Sequence, residues 1–137
     1  MEVSIYCNIQ GKAFSPSLAE KRTNLPLSEK NEVGAMGTLG FFRGKPLPDG
    51  ACTLSPTGRD DSPYGARLAQ LIAALECQIE TLRSCGAEDF VLRLVVCYDT
   101  QCNLEFSPTE MQRLAHMGIP LTVSCYLKEK DVEDAGK

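Results

Sequence analysis

The residues of this chain that can do chemistry are one histidine, seven cysteines and several pairs of carboxylates. His116 would make a nucleophile of a thiol if its imidazole took the thiol proton, but the two partners would meet in space and not in sequence. Its position close to a helix C-terminus suits a surface imidazole facing the helix dipole, and it is read that way. The cysteines are Cys7, Cys52, Cys77, Cys85, Cys97, Cys102 and Cys125. Their number is odd, and no two have the C-x-x-C spacing of a zinc ribbon or a redox motif. Cys7, Cys77, Cys97 and Cys125 fall in apolar-periodic runs, where a thiol behaves as a small hydrophobe. Cys97 and Cys102, either side of "YDTQ", are the pair to watch, with Cys102 expected in an exposed turn.

The glycine-rich run "GTLGFFRGKP" has the look of a phosphate loop but not its spacing. Aligning Gly44-Lys45 with the G-x-x-x-x-G-K-[ST] pattern puts Leu39 where glycine is needed and Pro46 where the Mg²⁺-binding hydroxyl belongs. One histidine and dispersed thiols make no recognisable metal set, so neither a metal nor a cofactor is expected. Asp60-Asp61, Glu88-Asp89, Asp99 and Glu105 lie mainly in turns and read as solvated charge. The stretch "YDTQCNLE", residues 98–105, is the best candidate contact loop: it is polar and follows a strand with two apolar faces. Asp99, Gln101, Asn103 and Glu105 are its candidate partner-binding residues.

The elements that must position these groups are legible from their periods. Val3, Ile5, Cys7 and Ile9 alternate with polar residues and predict a first strand. "FSP" then occurs twice, at 14–16 and 106–108, each time after an apolar stretch and before a helical run. Ser15 and Ser107 read as N-caps with proline in the first helical turn, and Glu110 would complete a capping box with Ser107. The repeated tripeptide is punctuation for two helices. Residues 26–58 are broken by glycine and proline, and "VGAMGTLGFF" and "GACTLS" are each expected to form a strand. Leu68, Leu71, Ile72, Leu75, Ile79 and Leu82 form a 3.6-residue stripe that predicts a helix over 64–85, capped by Ser62 and closed by Gly86. "DFVLRLVVCYD" reads as a central strand. A short helix with Met111, Leu114 and Ala115 on its apolar side leads to a last strand in "IPLTVSCYL".

With 137 residues, 43% apolar and 23% charged, the chain suits one globular domain over 1–127, with a charged and frayed tail over 128–137. The expected fold is α+β: a four- to six-stranded antiparallel or mixed sheet with the long helix across one face, ferredoxin-like in its specific version. The long-helix stripe should pack on Val3, Ile5, Leu94, Val96, Leu121 and Val123. A net charge of −4 speaks against a nucleic-acid partner and mildly for a basic protein. No window is long and apolar enough to span a membrane. "MEVSIYCNIQ" has Glu2 and no apolar core where a secretory signal would stand, so a cytoplasmic location is expected.

The stretches "IQGKAFSPSLAEKRTNL", "ARLAQLIAALECQIETL" and "FSPTEMQRLAHMGIPLTVSCY", in that order, give the chain a resemblance to the domain of unknown function 4279 family over roughly residues 3–127. Where that family commonly has a Trp in the strand after the irregular segment, this chain reads "ACTLS". The resemblance implies a small α+β domain, and some members of the family sit among toxin-immunity genes. It brings no catalytic residues. Together these readings predict a non-catalytic binding protein, an immunity protein that neutralises a basic protein toxin by blocking its active site. The alternative is a small-molecule-binding or regulatory domain with a pocket between helix and sheet. A thiol enzyme acting through Cys102 comes third.

Overall fold

β1 (Glu2–Gly11) is the strand on which the rest is assembled, because its alternate residues Ile5, Cys7 and Ile9 are buried on one side of the sheet. The computed structural model describes residues 1–57 and 62–129. After β1 come α1 (Pro16–Thr23), β2 (Leu27–Asn31), a 3-10 turn (Gly40–Phe42) and β3 (Gly50–Leu54), then α2 (Tyr64–Ser84), β4 (Asp89–Tyr98), α3 (Pro108–Met117) and β5 (Leu121–Leu127). The strands form one mixed sheet in the order β2-β3-β1-β4-β5. β1 pairs antiparallel with β3 and β4, β2 pairs antiparallel with β3, and β5 lies parallel to β4. The fold is therefore α+β with a long helix across the sheet. Its fifth, parallel strand goes beyond the four strands of a ferredoxin-like plan.

Among the described residues, α1, α2 and α3 contribute to one layer. The α2 stripe of Leu68, Leu71, Ile72, Leu75, Ile79 and Leu82 is buried throughout, in one cluster with Ile5, Leu92 and Leu94 on the sheet, Ala19 on α1 and Leu114 on α3. The expected packing partner Val123 is not part of it. It stays 40% exposed, because β5 is the edge strand and lies beyond the helical cover. α3 buries Leu114 and Met117 and ties Arg113 to Glu76 on α2. Met111 lies about 120° and Ala115 about 160° round the helix from Met117, and both are exposed, contrary to the expectation for α3.

The helix starts bear out the reading of the repeated tripeptide. Ser15 Oγ accepts from the Leu18 N–H at 3.3 Å and Ser107 Oγ from the Glu110 N–H at 3.1 Å, each with proline at the start of the helix. Ser107→Ala is expected to lower stability by about 0.5–2 kcal/mol without changing binding, measured by urea denaturation beside an affinity assay. Loss of binding at full stability would show that Ser107 serves more than the helix. Ser62 does not cap α2: Pro63 takes that position, and the Ser62 carbonyl accepts from Arg67 Nε instead.

The irregular segment departs furthest from expectation. "GACTLS" supplies β3, but "VGAMGTLGFF" gives only isolated bridges, Met36 to Pro46 and Gly37 to Arg43, around the 3-10 turn. The remaining strand is β2, "LSEKN", of which only Leu27 is buried. Pairing with β3 makes it a strand, with an irregularity between Ser28 and Asn31 where Glu29 takes a positive φ. The expected turn at Asp60-Asp61 and the tail from residue 130 onward lie outside the described residues. Lys128 is tied back, its N–H to the Tyr98 carbonyl at 2.8 Å and its ammonium to Glu2 at 3.2 Å.

Candidate functional site

The segment between β4 and α3 is shaped by an alternation that a loop does not need. Gln101, Asn103 and Glu105 are exposed, as is Asp99, whereas Cys102, Leu104 and Phe106 are half-buried. Leu104 and Phe106 pack against the core. The Glu105 N–H donates to Tyr64 Oη at 2.9 Å, fastening the segment to the first residue of α2. All four candidate residues thus stand on one anchored stretch and point outward. Their electrostatic settings differ. Lys128 lies close to Asp99: the hydrogen bond and charge of Glu2, with Asp99 adding to them, push the Lys128 ammonium above its ordinary value. At the far end Glu105 joins Glu110, Ser107, Tyr64 and Gly65 around a cleft of about 280 Å³.

Neither Tyr64 nor Glu110 is among the candidate contact residues that the sequence offers. Tyr64 is 41 residues from its partner, so no local spacing could reveal it. Glu110 was accounted for by its place three residues after Ser107. The return bond of that capping box, from the Ser107 N–H to Glu110, is not among the hydrogen bonds of the described residues.

The thiols sort by depth. Cys7, Cys52 and Cys85 are buried. Burial pushes Cys7 up to about 12, with the neighbouring Cys52 adding to it, and burial likewise pushes Cys52 up to about 12. Such thiols stay protonated and unreactive at neutral pH. Cys77 and Cys125 do not join the core as their apolar runs suggested, and both are exposed. Cys77 lies off the buried stripe of α2, and Cys125 lies on the edge strand. Cys102 does not pair with Cys97. Its sulfur lies 3.4 Å from that of Cys125. His116 is exposed in the last turn of α3. The Arg113 hydrogen bond lowers the Glu76 carboxyl below its ordinary range, and the charges of Arg113 and His116 add to this. Among the described residues no group of three or more His, Cys, Asp or Glu is arranged to hold a metal.

The space between α2 and the sheet is filled: Leu68, Leu71, Ile72, Leu75, Leu92 and Leu94 are essentially without solvent contact. The larger concavities lie elsewhere. One of about 580 Å³ runs from Asn8, Thr53, Val91 and Arg93, on the face of the sheet away from the core, round to Arg83 of α2 and Met117 of α3. There the Thr53 hydroxyl lies 3.1 Å from Glu29 Oε2 and 3.4 Å from Asn8 Oδ1. No helix among the described residues is long and apolar enough to cross a membrane. No protein-family model matches the chain, and no curated protein and no solved structure matches it.

Proposed function

We propose that the protein is a non-catalytic, protein-binding domain whose contact surface is the 98–105 stretch, and that it acts as an immunity protein, occupying the active site of a basic toxin. The observation that carries the binding reading is the alternation of outward polar and inward anchoring residues along that segment. Such a surface is ordered before a partner arrives, so little side-chain and loop entropy is lost on binding. Asp99, Glu105 and Glu110 make the rim acidic, which favours a basic partner and speeds encounter through long-range attraction. The step from binding protein to toxin inhibitor rests on the resemblance to the domain of unknown function 4279 family.

The product of the neighbouring gene is expected to form a stable complex with this protein, and expressing the protein is expected to protect cells from that product. Asp99→Lys combined with Gln101→Ala and Asn103→Ala should slow association about tenfold at low salt, with a smaller effect at high salt, while the fold survives. Stopped-flow association across an ionic-strength series measures this. Binding to no neighbouring product, or an association rate unchanged in the triple variant, would sink the reading. A second reading, a small-molecule-binding domain, is favoured by the 580 Å³ concavity near Arg93, whose size suits a small ligand. Its ligand would sit over the sheet face that carries Arg93 and reach Arg83 and Met117 at the ends of α2 and α3, outside the filled space between α2 and the sheet. Arg93→Ala should then abolish ligand-induced stabilisation and leave partner association unchanged.

A further inference from the structure

Two of the seven thiols meet at the surface, and the fold brings them there from separate elements. In the β4–β5 ladder Cys125 stands opposite Val96, whose side chain is fully buried, so Cys125 is on the helix side of the sheet. The helical layer does not reach that far, and Cys125 is exposed. The covering group is Cys102, first in the inward row of Cys102, Leu104 and Phe106. The two sulfurs lie 3.4 Å apart across 23 residues of sequence, close enough for an S–H···S hydrogen bond. A disulfide bond is about 2.05 Å long, so closure needs a movement of roughly an ångström from a segment outside regular structure.

We propose that Cys102 and Cys125 form a reversible disulfide, a redox modification site that fastens the 99–107 segment to the edge strand β5. The pairing does not rest on what the segment binds. The co-reactant is a low-molecular-weight disulfide of the glutathione type, and two exchanges complete the reaction. Cys125 is the more exposed thiol and enters first: its thiolate attacks one reagent sulfur, a mixed disulfide forms and one reagent thiolate leaves. The Cys102 thiolate then attacks Cys125 Sγ, the protein disulfide forms and the second reagent thiolate leaves. Two protein thiols are oxidised, the reagent disulfide is reduced to two thiols, and the protons lost by the protein balance those thiolates. Until then the hydrogen bond to Cys125, followed by partial burial and the neighbour's charge, pushes the Cys102 thiol above its ordinary value. Cys102 therefore suits the second, resolving role better than the first.

The test equilibrates the full chain in buffers of stepped glutathione-to-glutathione-disulfide ratio, blocks free thiols by alkylation and maps cross-linked peptides by mass spectrometry. The expected result is a Cys102–Cys125 peptide that becomes half-formed within the glutathione series. It should vanish in Cys102→Ala and in Cys125→Ala and persist in Cys77→Ala and Cys97→Ala. Amide exchange over residues 99–107 should slow about tenfold on oxidation. The wild-type map needs no variant to fold. Two alkylated thiols at every ratio, a Cys97–Cys102 bond, or glutathione adducts without closure would each overturn the pairing. Unchanged exchange in the disulfide form would overturn the fastening.

Discussion

Truncating Leu75 to Ala is expected to destabilise the protein by about 2–5 kcal/mol. The side chain has no solvent exposure and sits mid-helix in α2, in the same buried cluster as the central strands β1 and β4. Removing it deletes apolar contacts and leaves a void that neighbours on a sheet and a 21-residue helix can fill only partly. Against a total stability of about 5–15 kcal/mol for a domain of this kind, that is a large fraction. Urea denaturation should show a lower midpoint with an unchanged slope. Cys77→Ser, on the exposed side of the same helix, should stay within about 0.5 kcal/mol of wild type. A Leu75→Ala protein as stable as wild type would mean that α2 does not organise the core.

Gly86→Ala is expected to be nearly as damaging, for a reason unrelated to apolar burial. Gly86 closes α2 with φ at +101°, its N–H bonded to the Arg83 carbonyl and the next N–H, of Ala87, to the Leu82 carbonyl. A Cβ added there would lie 2.3 Å from the Ala13 carbonyl oxygen and 2.8 Å from Phe14 Cα. These are backbone atoms, held in turn by the Ser15 N–H to the Cys85 carbonyl and the Glu88 N–H to the Gln10 carbonyl. The turn from β1 into α1 and the turn from α2 into β4 are therefore laid backbone against backbone. Conformational strain of about 1–3 kcal/mol adds to an overpacking cost of about 1–3 kcal/mol. Gly118 separates the two contributions. Its φ is +72°, yet a Cβ there meets nothing within 4 Å. Gly118→Ala should cost only the left-handed strain, about 1–2 kcal/mol. Equal losses at both positions, by thermal or urea denaturation, would show that close approach of the two turns contributes nothing.

Both effects share a physical origin in the one-sided build of the molecule. With α1, α2 and α3 on one face, the core is a single layer deep, and α2 must seal it from the first turn to the last. The junctions flanking α2 then set how closely it settles on β1. Among the described residues no helix covers the opposite face of the sheet at Asn8, Thr53, Val91 and Arg93.

Strong local period and strong punctuation set the elements that are legible from the chain alone. The α2 stripe, the alternation in β1 and β4, and the two Ser-Pro helix starts depend on neighbours three or four residues away at most, so they are legible from the chain alone. The α+β class follows from them. Tertiary pairing decided the rest. β2 is a polar pentapeptide that becomes a strand only because β3 offers it a ladder, whereas the more apolar "VGAMGTLGFF" has no such neighbour and stays irregular. Val123 and Cys125 alternate as core residues should, yet the strand carrying them is at the sheet edge, and edge position is a property of the whole topology. For the candidate site, composition was enough to single out Asp99, Gln101, Asn103 and Glu105, but not the groups that hold them in place. Tyr64 and Cys125 reach the 99–107 segment from 41 and 23 residues away. A contact over that separation is set by how α2 and β5 cross in space, which no local spacing encodes.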